Sequence, residues 1–140
     1  MAELLINGKS FNLDFRFKNF IKYRNQFNSD FFKDIDYLYG KTIKFIKDLP
    51  REYQDKFINK QLQDISFDEL IKIQNIQNEN SFDLSDYVKI SQILYVLIDT
   101  EKSYKEWFDL LDFLPNKDIL ISIYRLFQDS QKNTVEIKKN

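Results

Sequence analysis

An Asn-Gly pair near the start of the chain constrains the fold more than any other feature of the sequence. Asn7-Gly8 favours a tight two-residue turn, because both residue types tolerate positive φ. Strand-like patterns precede it over 3–7 and follow it over 11–15, the second with strict alternation of apolar and polar residues. A β-hairpin is therefore predicted over 3–16. The residues on its apolar face are Phe11, Leu13 and Phe15. Since two strands alone are marginal in water, this face must pack on helices or on another chain.

The sequence from position 17 onward has helical periodicity. Apolar residues recur at spacings of three and four from Phe17 to Phe27, and the next helix is expected to start after Asp30. Gly40 is expected to end that helix, because glycine is typical of helix C-termini. Pro50 should break the helical pattern, since proline disfavours helix in the residue before it.

Capping signals divide the rest of the chain into further helices. N-caps are predicted at Ser66, Ser85, Ser103 and Asn116. The first and third of these begin a Ser-x-x-Glu capping box. The amide-rich segment 74–80 is expected to be a surface loop or a frayed helix end, and the helix after Ser103 to continue to Leu114, where Pro115 closes it.

These patterns predict a mostly α protein with an N-terminal β-hairpin, an α+β fold in a compact helical domain. A chain of 140 residues fits one domain. This domain is expected to span 1–129, with the helices over 17–129. The segment 130–140 has little to bury and is expected to be a flexible C-terminal tail.

Composition excludes several classes of function. The 21 basic and 22 acidic residues give a net charge of −1, which argues against a protein that neutralises phosphates. The sequence has no Cys and no His, which excludes thiolate or imidazole metal sites and Ser–His or Cys–His nucleophiles. The longest apolar stretch, 93–98, is far below the ~20 residues of a spanning helix, and the start lacks a basic secretory region. A soluble intracellular protein with no nucleic-acid or membrane partner is expected.

Carboxylates are the remaining candidates for catalysis. The close pairs are Asp34 with Asp36, Asp83 with Asp86, and Asp109 with Asp112. Such pairs can bind Mg²⁺, but they lie at helix starts or on polar faces, where carboxylates are expected for structural reasons. Two glycines are too few for a phosphate-binding glycine motif. We expect no catalytic residue, no metal and no cofactor. The lysines at 41, 44 and 47 are interpreted as a solvated helix face.

Aromatic residues make up 16% of the chain and are the best candidates for binding a partner. Trp107-Phe108 occurs at helical spacing with leucines, which is more typical of a core, whereas the hairpin face fits either a core or an interface. Exposed strand edges pair with other chains unless they are blocked, so a homo-oligomer is a further expectation. The candidate partner-binding residues are Phe11, Leu13, Phe15, Phe17, Trp107 and Phe108.

Two segments resemble the tail assembly chaperones of long-tailed, siphovirus-type phages and prophages of low-GC Gram-positive bacteria. The first is INGKSFNLDFRFK at 6–18, with the strand, ING-K turn, alternating strand and helix start of that family. The second is LYVL at 94–97 followed by SYKEWFDLL at 103–111, like the family's apolar helix and Ser-capped acidic-aromatic helix. The middle of the chain, 31–80, matches no pattern of the family.

This resemblance implies a non-enzymatic role in the host cytoplasm. Chaperones of this family bind and solubilise the tape measure protein, recruit the tail tube protein during tail morphogenesis, and are not retained in the virion. Many also exist in a longer, frameshifted form. The resemblance therefore implies the tape measure protein and the tail tube protein as partners.

Three other functions are weighed against this one. The first is another small phage or prophage protein-binding adaptor or inhibitor with no catalytic activity. The second is a metal-dependent nuclease that uses the carboxylates, and the third is a helical nucleic-acid regulator. The near-neutral charge disfavours the last, because phosphate binding requires a basic surface.

Overall fold

The structure, a computed structural model, describes residues 2–58, 66–79 and 82–131. Within these residues a two-stranded antiparallel hairpin precedes seven helices, which confirms the predicted mostly α fold with an N-terminal hairpin. None of the described helices combines the length and apolar character needed to span a membrane. The elements are β1 (Ala2–Ile6), β2 (Lys9–Leu13), α1 (Phe17–Phe27), α2 (Phe31–Asp48), α3 (Arg51–Ile58), α4 (Phe67–Glu79), α5 (Leu84–Ile98), α6 (Tyr104–Asp109) and α7 (Lys117–Ser130).

The hairpin turn has the predicted geometry. Ile6 pairs with Lys9, so the loop contains only Asn7 and Gly8. Their φ angles are 51° and 79°, the positive values that a type I′ turn requires at both central residues. The Asn-Gly pair therefore fixes the register of the hairpin.

The return strand begins and ends earlier than predicted. The expectation of a strand over 11–15 is wrong, because β2 covers Lys9–Leu13. The backbone N–H of Asp14 donates instead to the carbonyl of Leu97 at 2.7 Å. This bond satisfies a carbonyl in the last turn of α5, which has no partner within its own helix. Phe15 consequently lies outside the sheet.

Helix α5 is the centre of the fold, in contact with β2, α1, α2 and α6. Asp83 and Asp86 close its N-terminus with a reciprocal capping box, in which each carboxylate accepts the other residue's backbone N–H at 2.9 and 3.0 Å. The prediction of Ser85 as the N-cap is wrong, because Ser85 already lies inside the helix and its hydroxyl donates to Asp83 at 2.7 Å. The fully buried residues of α5 include Ile90, Ile93, Leu94, Val96 and Leu97.

Helix α2 continues through Gly40, so the predicted helix end there is wrong. Leu38 and Thr42 on either side are buried, and the Thr42 hydroxyl donates to the Leu38 carbonyl at 3.1 Å. Burial of this face outweighs the roughly 1 kcal/mol that glycine costs inside a helix. The break at Pro50 is confirmed, since α2 ends at Asp48 and α3 begins after the proline.

Two further helix ends differ from prediction. Helix α4 reaches Glu79, so the surface-loop alternative for 74–80 is wrong for its described residues, which include neither Gly nor Pro. The alternative of a frayed helix end stays a prediction. Helix α6 ends at Asp109 rather than at Leu114. There the Leu110 N–H bonds the Trp107 carbonyl at 3.1 Å, which closes the helix in a tighter turn.

The last helix begins as predicted after Asn116, whose side chain accepts the Ile119 N–H at 3.1 Å. It continues through Ser130, the first residue of the expected tail. Residues 132–140 lie outside the described part of the chain. The single domain over 1–129 and the flexible tail therefore stay predictions.

Candidate partner-binding surface

Many of the aromatic rings form one connected network that extends from the hairpin exit to α6. Neighbouring ring centroids lie 4.6 to 6.3 Å apart, mostly in tilted or edge-to-face arrangements. Because these rings contact one another inside the fold, most of their area stabilises this chain and is not free for a partner. The network comprises Phe15, Phe127, Phe20, Phe31, Phe32, Tyr23, Phe27, Tyr95, Tyr104, Trp107 and Phe108.

Two of the six candidate residues belong to the core. Leu13 is 2% exposed and Trp107 is 8% exposed, with the tryptophan ring 5.5 Å from that of Tyr95. Neither side chain can reach a partner while the protein is folded as described.

Two more candidates are half-buried against other parts of this chain. The Phe11 ring lies 6.1 Å from that of Phe113, in the loop before α7. The Phe15 ring lies 5.8 Å from that of Phe127 on α7. The apolar face of the hairpin thus packs on helices of the same chain.

The last two candidates are exposed. Phe17 is 69% exposed at the first position of α1, and Phe108 is 43% exposed on the short helix α6. Phe17 is accompanied by further exposed apolar side chains on α1 and α2.

Phe17 and Ile21 on α1 and Phe32 on α2 are large apolar side chains exposed on two helices in contact, and we call this group the α1–α2 apolar surface. Ile21 is 43% exposed and lies one turn after Phe17 on α1. Phe32 on α2 is 44% exposed, and its ring lies 5.0 Å from that of the buried Phe20. Sequence reasoning missed Ile21 and Phe32, although the spacing of four between Phe17 and Ile21 was a visible signal.

A buried polar cluster fixes the two helices that carry this surface. The carboxylate of Asp34 on α2 accepts hydrogen bonds from the hydroxyls of Tyr23 and Ser29, both at 2.6 Å. Burial, and then the hydrogen bond to Asp34, raises the pKa of the Tyr23 hydroxyl well above its ordinary value. The tyrosine therefore remains a donor at neutral pH and holds α1 against α2.

Helix α1, which carries Phe17 and Ile21, is basic. Helix α1 contains no Asp or Glu, and it carries Lys18, Lys22 and Arg24. Lys18 pairs with Asp99 at 2.7 Å, and the Lys22 ammonium lies 4.8 Å above the Tyr95 ring. Both contacts tie α1 to α5 and its C-terminus. Arg24 is exposed and lies three residues after Ile21, so it favours a partner that has a carboxylate beside its apolar residues.

Several charged residues elsewhere have structural partners. Lys41 on α2 donates to the buried carboxylate of Asp86 at 2.6 Å, and this hydrogen bond raises the pKa of Lys41. The ammonium groups of Lys41 and Lys117 lie 5.8 and 5.0 Å from the buried ring of Phe82. These contacts join α2, α5 and α7.

At least one member of each carboxylate pair considered as an Mg²⁺ site has a structural role. Asp83 and Asp86 cap α5, Asp34 binds two hydroxyls, and Asp112 pairs with Lys9 at 2.9 Å. Over 2–58, 66–79 and 82–131, no three or more acidic, His or Cys residues cluster closely enough to hold a metal ion.

A second set of exposed apolar residues lies on α4. Phe67, Leu70 and Ile71 share one side of this helix and are 75%, 47% and 44% exposed. Helix α4 contacts α2, but the segments on both sides of it, 59–65 and 80–81, lie outside the described residues. The better-defined candidate is the α1–α2 apolar surface.

Comparison with known proteins found no matching family model, curated protein or solved structure.

Proposed function

We propose that this protein is a tail assembly chaperone that binds apolar helical segments of a tape measure protein through the α1–α2 apolar surface. The observation that carries the proposal is the exposure of Phe17, Ile21 and Phe32 on two helices that are otherwise tightly joined. Groups of large apolar side chains exposed on a folded domain are typical of protein-binding sites. The resemblance of segments 6–18 and 94–111 to the chaperone family supplies the class of partner.

Binding of this kind needs no chemistry beyond surface complementarity. An amphipathic helix of the tape measure protein would place its apolar stripe across Phe17, Ile21 and Phe32. An acidic residue beside that stripe would face Arg24. Because Phe32 rests on Phe20 and Tyr23 holds Asp34, the surface is already formed before the partner arrives, which reduces the entropy cost of binding. Recruitment of the tail tube protein would follow on the resulting complex, in the host cytoplasm.

The direct test is co-expression with the tape measure protein encoded in the same phage genome. We expect wild-type protein to keep the tape measure protein soluble and to co-purify with it. The variant Phe17→Ser/Ile21→Ser should lose this effect, because it removes the apolar contact without touching the core. The matched control is Leu84→Ser, which removes a side chain that is 78% exposed on α5.

Two results would contradict the proposal. One is a tape measure protein that stays insoluble with wild-type protein present. The other is equal solubilisation by the wild type and by Phe17→Ser/Ile21→Ser, which would place the binding site elsewhere.

A further inference from the structure

The outer edge of β1 is open to another strand. In a two-residue hairpin Ile6 and Lys9 exchange hydrogen bonds, and bonded and non-bonded pairs alternate from there. The backbone N–H and C=O groups of Glu3 and Leu5 therefore point away from β2. Within the described residues no other backbone group bonds them. Natural edge strands are often protected by Lys or Pro, but Glu3 is the only charged residue of β1.

A groove of about 310 Å³ lies beside this edge. Residues 4–7 form one wall, and the loop before α7 with the first turns of that helix forms the other. Leu5 and Leu114 line the groove and are 69% and 61% exposed. An added strand would satisfy the free backbone groups and cover both leucines.

The charges on α7 indicate which strand fits. Asp118 and Ser122 line the groove. At 100° per residue, Arg125 falls on the same side of the helix, and it is exposed. Over 118–125 the order on this side is acidic, small, basic, and the acidic Asp129 follows one turn later. The part 118–125 is complementary to a second copy of itself in the antiparallel direction, because Asp118 of each copy then faces a basic residue of the other.

We propose that the groove is occupied by a second copy of this chain, in a two-fold dimer whose β1 strands pair antiparallel. A register centred on Leu4 bonds Glu3 of each copy to Leu5 of the other, so the outward backbone groups of both strands are satisfied. The two hairpins then form a four-stranded sheet with helices on one face. The two α7 helices lie antiparallel beside each other, with Asp118 near Arg125 of the partner subunit.

Sedimentation of the full chain over a range of concentrations tests this dimer. We expect wild-type protein to reach twice the monomer mass of 17.0 kDa. Leu5→Lys places a charge on the edge at an exposed position and should raise the dimer dissociation constant by about tenfold or more. Asp118→Arg and Arg125→Asp should each weaken the dimer, whereas the double variant Asp118→Arg/Arg125→Asp should restore it. Leu84→Lys is the control, with a charge at an exposed site on α5.

Rescue by the double charge swap would show that each single reversal weakens the dimer by breaking the pair between Asp118 and Arg125, and not by unfolding the protein. Circular dichroism checks the folding of each variant independently. A protein that remains monomeric at every concentration would overturn the proposal. So would a dimer that survives Leu5→Lys and both single reversals. A dimer broken by Phe17→Lys alone would mean that the copies meet through the α1–α2 apolar surface. The dimer and the proposed function can fail separately, because the co-expression test with Phe17→Ser/Ile21→Ser concerns the α1–α2 apolar surface and not the edge of β1.

Discussion

At the scale of single residues, the carboxylate of Asp34 on α2 accepts two hydrogen bonds of 2.6 Å, from Tyr23 on α1 and from Ser29 in the loop between the two helices. Asp34 is only 8% exposed, so each hydroxyl replaces a water molecule that the buried carboxylate has lost. The cluster thereby sets the relative position of two helices whose outer side chains form the α1–α2 apolar surface.

We predict that Tyr23→Phe lowers the free energy of unfolding by about 1–3 kcal/mol, because it leaves a buried carboxylate with one donor fewer. Urea denaturation measures the change. Tyr37→Phe is the control, since the Tyr37 ring is 50% exposed, and it should change stability by less than about 0.5 kcal/mol. Equal effects of the two substitutions would show that the Tyr23 hydroxyl contributes nothing specific.

The same tyrosine predicts a dependence on pH. Burial and the bond to Asp34 raise the pKa of Tyr23 in the folded protein, whereas an unfolded tyrosine ionises near about pH 10. The folded state therefore holds a proton that the unfolded state releases, and stability falls as the pH rises above about 10. Urea midpoints from about pH 8 to about pH 11 should fall less steeply for Tyr23→Phe than for wild type. Parallel curves would contradict this assignment.

At the scale of elements, local sequence signals, each spanning only a few residues, were sufficient to predict much of the fold. The Asn7-Gly8 turn, the Pro50 break and the Asn116 cap all depend on local backbone preferences, and the structure has each where it was predicted. Helix ends that depend on distant contacts were missed. Gly40 does not end α2, because Leu38 and Thr42 are buried against other elements.

The N-terminus of α5 is another helix end that was predicted wrongly, since Asp83 is the N-cap and not Ser85. Substitution of each residue tests this assignment directly. Asp83→Ala should lower the urea midpoint of unfolding, because it removes the side chain that accepts the Asp86 N–H at 2.9 Å. Ser85→Ala should leave the midpoint close to wild type, since Ser85 is exposed within the first turn. A larger loss for Ser85→Ala would reverse this assignment of the cap. The effect of Asp83→Ala should shrink below about pH 4, because protonation removes the charge of the wild-type carboxylate.

At the scale of the whole molecule, the candidate site could be predicted only in part. The sequence pattern indicates which side chains are apolar, but not which of them are buried by packing against α5 and α7. Leu13 and Trp107 are buried by such contacts, whereas Phe17 remains exposed. Phe32 is part of the surface because α1 and α2 are in contact, through the Tyr23–Asp34 hydrogen bond and the ring contacts of Phe20. The spacing of residues within one helix cannot predict this contact between two helices.

The two surfaces proposed for this protein are on different elements, and together they make a prediction about avidity. A dimer joined at β1 carries two α1–α2 apolar surfaces, so a long cargo helix with two apolar stripes can occupy both. Wild-type protein should bind such a fragment about 100-fold more tightly than Leu5→Lys does, because the second contact is intramolecular. For a fragment with one stripe the two proteins should have equal affinity. Calorimetry on both fragments measures this, and equal affinity for the two-stripe fragment would mean that the surfaces do not act together.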